Sequence, residues 1–202
     1  MRLYEAPSPN ARRVHIFMAE KGIDCQRVPV DIRGGENRKA DYLGKNPSGR
    51  VPVLELDDGT FLAESVAICR YLDWLSPEPR LFGEPGIEAA TIEMWSRRSE
   101  LNFMASVAAA FRNITGFFKD RETCVKEWGE VSAQTAADFV GMFDEQLAKS
   151  PYLAGDRFSI ADITFVVAWD FAKRVKVVPL PDAPNIARWH AVIAARPSYT
   201  AE

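Results

Sequence analysis

The sequence predicts an α/β domain followed by an all-α one. Three observations carry that prediction: strand and helix signals alternate through the first third of the chain, residues 76–86 (SPEPRLFGEPG) hold three prolines and two glycines, and strand signals largely disappear beyond them. In order, RLYE (2–5) reads as a strand and NARRVHIFMAEK (10–21) as a helix, with Val14, Phe17 and Met18 at helical spacing and Arg12, Arg13, Glu20 and Lys21 expected to face water. Ser8 suits the cap of that helix, Pro9 its first position and Gly22 its stop.

QRVPVDI (26–32) is a second strand and completes a βαβ opening. A connector, RGGEN, and a short segment, RKADYLGKN, lead to VLEL and FLA, which flank Asp57-Asp58-Gly59-Thr60. Asp-Gly between apolar runs is a strong hairpin signal. A helix from about Glu64 to Leu75 follows, and further helical patterns run over about 87–113, 123–149 and 159–174, with another near 185–195. The order βαβ, short helix, hairpin, helix is the thioredoxin-type arrangement with an all-α domain appended. The limits are 1–77 for the first domain, 78–86 for a linker and 87–202 for the second.

Composition narrows the partners. A chain of 202 residues, 47% of them hydrophobic, supports real cores. The net charge of -3, from 25 basic and 28 acidic residues mixed along the chain, offers no basic field for nucleic acid. There is neither a signal-peptide run in MRLYEAPSPN nor the roughly 18 consecutive apolar residues of a membrane span, so the expected location is the cytoplasm. Cys25, Cys69 and Cys124 are odd in number, lack CxxC spacing and read as reduced thiols. His15 and His190 lack metal-ligand spacing, and no Ser-His-Asp set, Walker loop or GxGxxG is present, so no metal is expected.

Three short motifs carry chemistry. In RVPVL, a cis Val51-Pro52 bond would turn the Val51 N–H and C=O outward to dock an extended peptide backbone, against the ordinary alternative of a trans proline at a strand start. In AES, Glu64 and Ser65 fall where a strand ends and a helix begins: either a routine cap, or a place where a hydroxyl, first-turn N–H groups and the helix dipole meet a carboxylate while Glu64 accepts from an ammonium. In APSPN, Ser8 is a cap, or the Ser8 hydroxyl or the Asn10 amide aims outward at the positive end of a helix to stabilise an anion such as a thiolate. Elsewhere, Ser159 with Asp162 reads as a structural capping box. Arg97, Arg98 and Glu100 form a solvated face or a dimer-interface ion pair.

Taken together, LYEAPSPNARRVHIFMAEKGI, NPSGRVPVLELDDGTFLAESVAICRYL and YLAGDRFSIADITF resemble the cytosolic glutathione transferases over nearly the whole chain. The resemblance implies a thioredoxin-like domain binding glutathione as co-substrate, with an all-helical domain forming the site of a small hydrophobic electrophile, in a homodimer. It implies that Val51 beside a cis Pro52 pairs with the cysteinyl backbone and that Glu64 and Ser65 hold the γ-glutamyl group. Lys39 and Arg50 are then the candidates for the glycyl carboxylate.

The chain looks most like bacterial relatives of a fungal-type group, in a member of which a water held by a serine and a histidine activates the thiol. Those positions match Ala108 and either Arg112 or Asn113, so this chain departs from that pattern. APSPN resembles the nu-class opening, in which residues matching Ser8 and Asn10 sit at the glutathione sulfur. Phe111, Arg112 and Asn113, with Phe117 and Phe118 nearby, are candidates for the electrophile side, and the aromatic run reads equally as core. Rival readings are glutathione-dependent disulfide or peroxide reduction on the same scaffold, and a glutathione-binding relative without chemistry.

Overall fold

The computed structural model describes residues 1–201, and the chain divides into two compact units. The first comprises Met1–Arg80 together with the segment from Pro197 onward, and the second Leu81–Arg196. The junction falls inside the Pro/Gly-rich stretch. The return of the final segment to the first unit is a feature that a continuous second domain over 87–202 does not include.

In the first unit, β1 (Arg2–Glu5) pairs parallel with β2 (Gln26–Pro29) and antiparallel with β3 (Val53–Glu55), which pairs antiparallel with β4 (Phe61–Ala63). The sheet order is β2-β1-β3-β4. Helix α1 (Pro9–Lys21) joins β1 to β2, the short α2 (Ala40–Leu43) precedes β3, and α3 (Ser65–Leu75) follows β4, which is the thioredoxin-like order. The register sets Leu3, Leu54 and Leu62 in one cross-strand row and Tyr4, Val53 and Ala63 in the next, so these rows face opposite sides of the sheet. Leu3 and Leu54 are fully buried, as are Val14, Phe17 and Ile68 of α1 and α3. On the other face Tyr4, Val53 and Ala63 pack with Val30 and Tyr42 in a smaller core.

One expectation for α1 is corrected: Arg13 and Lys21 do not face water. Arg13 is fully buried and Lys21 nearly so. Residues 10, 13, 14, 17 and 21 form one helical stripe, so both cations lie on the face that Val14 and Phe17 bury. A buried ammonium persists only when paired. Lys21 Nζ meets that condition, donating to the carbonyls of Ser76 (2.8 Å), Pro77 (3.1 Å) and Pro79 (2.5 Å) and pairing with Asp73 at 2.5 Å. Along the flank of α1, the segment Pro197–Thr200 is held by Arg12, which donates to the Tyr199 carbonyl at 3.2 Å and stacks 4.6 Å above the Tyr199 ring. Ser198 Oγ donates to Glu20.

The second unit consists of α4 (Ile87–Arg97), α5 (Ala105–Thr115), α6 (Lys126–Lys149), α7 (Ile160–Val175) and α8 (Pro184–Ala194). The helix expected over 87–113 is interrupted by a π-helical stretch, Arg98–Met104, which shifts the phase of α5 relative to α4. Arg97 pairs with Glu93 and Glu100 of its own helix, and Arg98 stacks 4.6 Å over Trp95. The core is aromatic: Phe143 and Phe165 stack at 4.2 Å, and Phe165 meets Phe103 at 5.5 Å and Trp189 at 5.2 Å. α5 and α6 approach so closely at Gly129 that a Cβ there would lie 2.8 Å from Ile114 Cγ1 and 2.9 Å from Asn113 Cβ. No helix of the described residues is long and apolar enough to cross a membrane.

Candidate functional site

Helix α1 begins in a capped turn. Ser8 has extended backbone (φ -159°, ψ 156°), its Oγ accepts from the Ala11 N–H at 3.2 Å, and Pro9 takes the first helical position, where no N–H is needed. This bond occupies a lone pair of the hydroxyl and leaves its hydrogen to donate. Ser8 and Asn10 are both half-buried at the positive end of the helix. The acid and base groups beneath are paired: His15 Nε2 contacts Glu5, and Arg27 stands 3.8 Å from the same carboxylate.

The Val51-Pro52 bond is cis. Strand pairing begins at Val53, so Val51 lies outside the ladder. The loop ahead of it is fixed from below by buried side chains. Tyr42 Oη and Asn46 Nδ2 both donate to the Arg50 carbonyl at 2.8 Å, and Asn37 Nδ2 donates to the Gly49 carbonyl at 2.5 Å. Gly49 adopts φ +63° with the Asn37 carbonyl 3.0 Å from where a Cβ would stand, so only glycine fits. With its backbone anchored, Arg50 leaves its side chain exposed. Lys39, also exposed, lines a cavity of roughly 480 Å³ with Tyr4, Tyr42 and Lys45. Tyr4 Oη donates to Glu55 at 2.7 Å, and burial together with that bond raises its pKa, which unsuits it to thiol activation.

At the start of α3, Glu64 is a non-glycine residue in a positive-φ conformation (φ 68°, ψ 113°) with no side-chain cap bond, and it is exposed. Such a backbone costs about 1–3 kcal/mol and persists only where the surroundings impose it. The next residue, Ser65, is buried, and its Oγ accepts from Arg13 Nη1 at 2.6 Å. The same nitrogen donates to Asn10 Oδ1 at 3.2 Å. Two residues that the sequence assigns to different parts of a ligand, Asn10 and Ser65, are thus joined through a third, Arg13, whose expected place was facing water. The available signal was the position of Arg13 on the apolar stripe of α1. Cys69, one turn along α3, is fully buried; burial pushes its thiol up to about 12 against the opposing charge of Arg13, so it is inert.

The remaining candidates lie in the second unit. Phe111 packs against Phe117 at 5.2 Å and Phe171 at 5.4 Å. Arg112 pairs with Glu122 at 2.5 Å and stacks 5.0 Å over Phe118. Asn113 donates to the Ala109 carbonyl at 2.9 Å and accepts from the Val125 N–H at 2.8 Å, tying the start of α6 to α5. Both polar side chains are engaged in the α5–α6 connection, and the aromatic side chains form a half-exposed cluster. Among the described residues no group of three or more His, Cys, Asp and Glu side chains is placed to hold a metal.

Comparison with known proteins identifies the family. The family model of the glutathione S-transferase N-terminal domain matches residues 7–75, and that of the C-terminal domain matches residues 126–197. Glutathione S-transferase 2 of Saccharomyces cerevisiae is 38% identical, over 98% of this chain and 87% of its own length. Among solved structures, a glutathione S-transferase domain-containing protein from Marinobacter aquaeolei VT8 is 41% identical with a TM-score of 0.95, covering 99% of this chain and 100% of that one. Gtt2 from Saccharomyces cerevisiae is 37% identical with a TM-score of 0.93 over 98% of each chain. This chain belongs to the glutathione S-transferase family and is an enzyme of the transferase kind, related to fungal and bacterial members.

Proposed function

We propose that the chain binds glutathione in its first unit and transfers the thiolate to a small apolar electrophile. The observation that carries this reading is the strained, exposed Glu64 at the start of α3. A carboxylate held in a costly conformation at the positive end of a helix fits a partner with both an ammonium and a carboxylate, as the γ-glutamyl head group has. In this reading Glu64 takes the ammonium, Ser65 and the first-turn N–H groups take the carboxylate, Val51 pairs with the cysteinyl backbone, and Lys39 or Arg50 meets the glycyl carboxylate.

A cysteine thiol with a pKa of about 8.5 is mostly protonated at neutral pH, so lowering that value by about two raises the thiolate fraction many-fold. Ser8 or Asn10 donates to the sulfur, and the dipole of α1 adds positive potential. The thiol proton passes to solvent, the sulfur forms a bond to the electrophilic carbon, and the leaving group departs with its electron pair. Phe111, Phe117, Phe118 and Phe171 supply apolar surface for the electrophile, with Arg112 and Asn113 beside them. The protein acts as a cytoplasmic homodimer in this reading. Ile87, Met94 and Leu101 are exposed at seven-residue spacing along α4 and the π-helical stretch, which supports the homodimer.

The test is a titration of enzyme-bound glutathione, following thiolate absorbance against pH for wild type, Ser8→Ala and Asn10→Ala. A depressed thiol pKa in wild type, restored by one substitution, identifies the activating residue. Glutathione that titrates as it does in water, or fails to bind at millimolar concentration, overturns the reading. Preferential turnover of a small disulfide over a chlorinated aromatic would move the activity to reduction.

A further inference from the structure

Resting on the glutathione reading, we infer that Arg13 is a positioning residue that sets the hydrogen-bond polarity of the site at two places along the ligand, the cysteinyl sulfur and the γ-glutamyl carboxylate. Guanidinium is donor-only and keeps its proton at every physiological pH. Whatever faces Arg13 Nη1 within hydrogen-bond distance must therefore be an acceptor. At Asn10 this fixes the carboxamide: Oδ1 turns toward Arg13 at 3.2 Å and the NH₂ turns away from it. At Ser65 it fixes the hydroxyl: the oxygen receives the guanidinium proton at 2.6 Å, and its own hydrogen is left to donate elsewhere.

The consequence concerns two anions. A glutathione thiolate and a γ-glutamyl carboxylate both require donors, and both Asn10 and Ser65 could equally present a lone pair. An Asn10 carboxamide turned the other way would place its oxygen against the sulfur and raise the thiol pKa instead of lowering it. One buried cation on α1 removes that choice for both groups together. Its burial matters as well, because a mobile surface arginine would not hold two acceptors in register.

Three variants with two ligands test this. In Arg13→Met the bound thiol pKa should return toward that of free glutathione, and affinity for glutathione should fall about tenfold or more, the effect expected of losing one charge-assisted contact. Arg13→Lys keeps a buried donor on a shorter stem and should fall between the two. Cysteinylglycine lacks the γ-glutamyl group and cannot feel the Ser65 arm, so each substitution should weaken its binding less than it weakens that of glutathione. Asn10→Asp retains the bond to Arg13 yet offers the sulfur only acceptors, and should raise the bound thiol pKa.

A folded Arg13→Met variant with wild-type thiol pKa and affinity would overturn the inference, as would equal losses for glutathione and cysteinylglycine. If Arg13→Met fails to fold, the ligand comparison in Arg13→Lys decides in the same way. A wild-type protein that does not bind glutathione at all refutes the underlying reading instead, so the two failures are distinguishable.

Discussion

At α1 and at α7 a serine begins a helix, and the two helix starts differ in what is left over. Ser159 and Asp162 close the start of α7 completely. Asp162 Oδ1 accepts from the Leu153 N–H at 3.0 Å and Trp189 Nε1 at 2.9 Å, and Oδ2 accepts from the Ser159 N–H at 3.0 Å and Ser159 Oγ at 3.1 Å. Both residues are buried. At α1 the first turn contains no acidic residue, Ser8 and Asn10 are half-buried, and the hydrogens of Ser8 and Asn10 have no partner among the described residues. A carboxylate three residues after the cap satisfies the helix from inside the protein. Its omission leaves the positive end open to an outside anion.

The largest effect is expected where the helix is closed. Asp162→Ala strands the Trp189, Leu153 and Ser159 donors in a dry interior and should lower unfolding free energy by about 3–5 kcal/mol in denaturant titration. A loss below about 1 kcal/mol would mean that the start of α7 is not held by that carboxylate.

A smaller effect comes from pH. Burial, opposed by the four donors, pushes the Asp162 carboxyl up to about 6 from an ordinary value of 3.8. The folded state then holds the proton more tightly than the unfolded chain, so the group's stabilising share is full below about pH 4 and is lost as pH rises through about 6. Referenced to Asp162→Asn, wild-type stability should decline between pH 4 and pH 7 by on the order of 2 kcal/mol. A flat difference would show that the donors offset burial in full, and a difference that rises with pH that they outweigh it.

The finest distinction lies at the open start of α1. Aspartate caps a helix as well as serine does, so Ser8→Asp should keep thermal stability close to wild type, whereas Ser8→Ala should lose about 1 kcal/mol. Both remove the donor hydrogen, and if Ser8 serves the sulfur both should raise the bound thiol pKa, the aspartate more through its charge. Wild-type thiol pKa in Ser8→Asp would confine Ser8 to capping and leave activation to Asn10.

Much of this was readable from residue order because the signals were local. Ser8, Pro9 and Gly22 bound α1, Asp58-Gly59 turns the hairpin, and the Ser159–Asp162 pair marks the start of α7. What was hidden depended on distant partners. The burial of Arg13 and Lys21 follows from acceptors on and beyond α3, more than fifty positions away. The interruption of the long helix at Arg98–Met104 carries no glycine or proline that would mark it in the sequence. Trp189 as a fourth donor to Asp162 is equally nonlocal. The candidate ligand residues were legible as motifs, while the bond network that orients them was not.

The segment Pro197–Thr200 clasps α1 through Arg12 and Glu20. A ribosome delivers α1 early and this segment only after every helix of the second unit has been made. The first unit therefore spends the whole of that interval without the segment that covers the Arg12 and Glu20 flank. The last contacts of the first unit are thus supplied by chain made after its neighbour, so the order of synthesis and the order of packing differ.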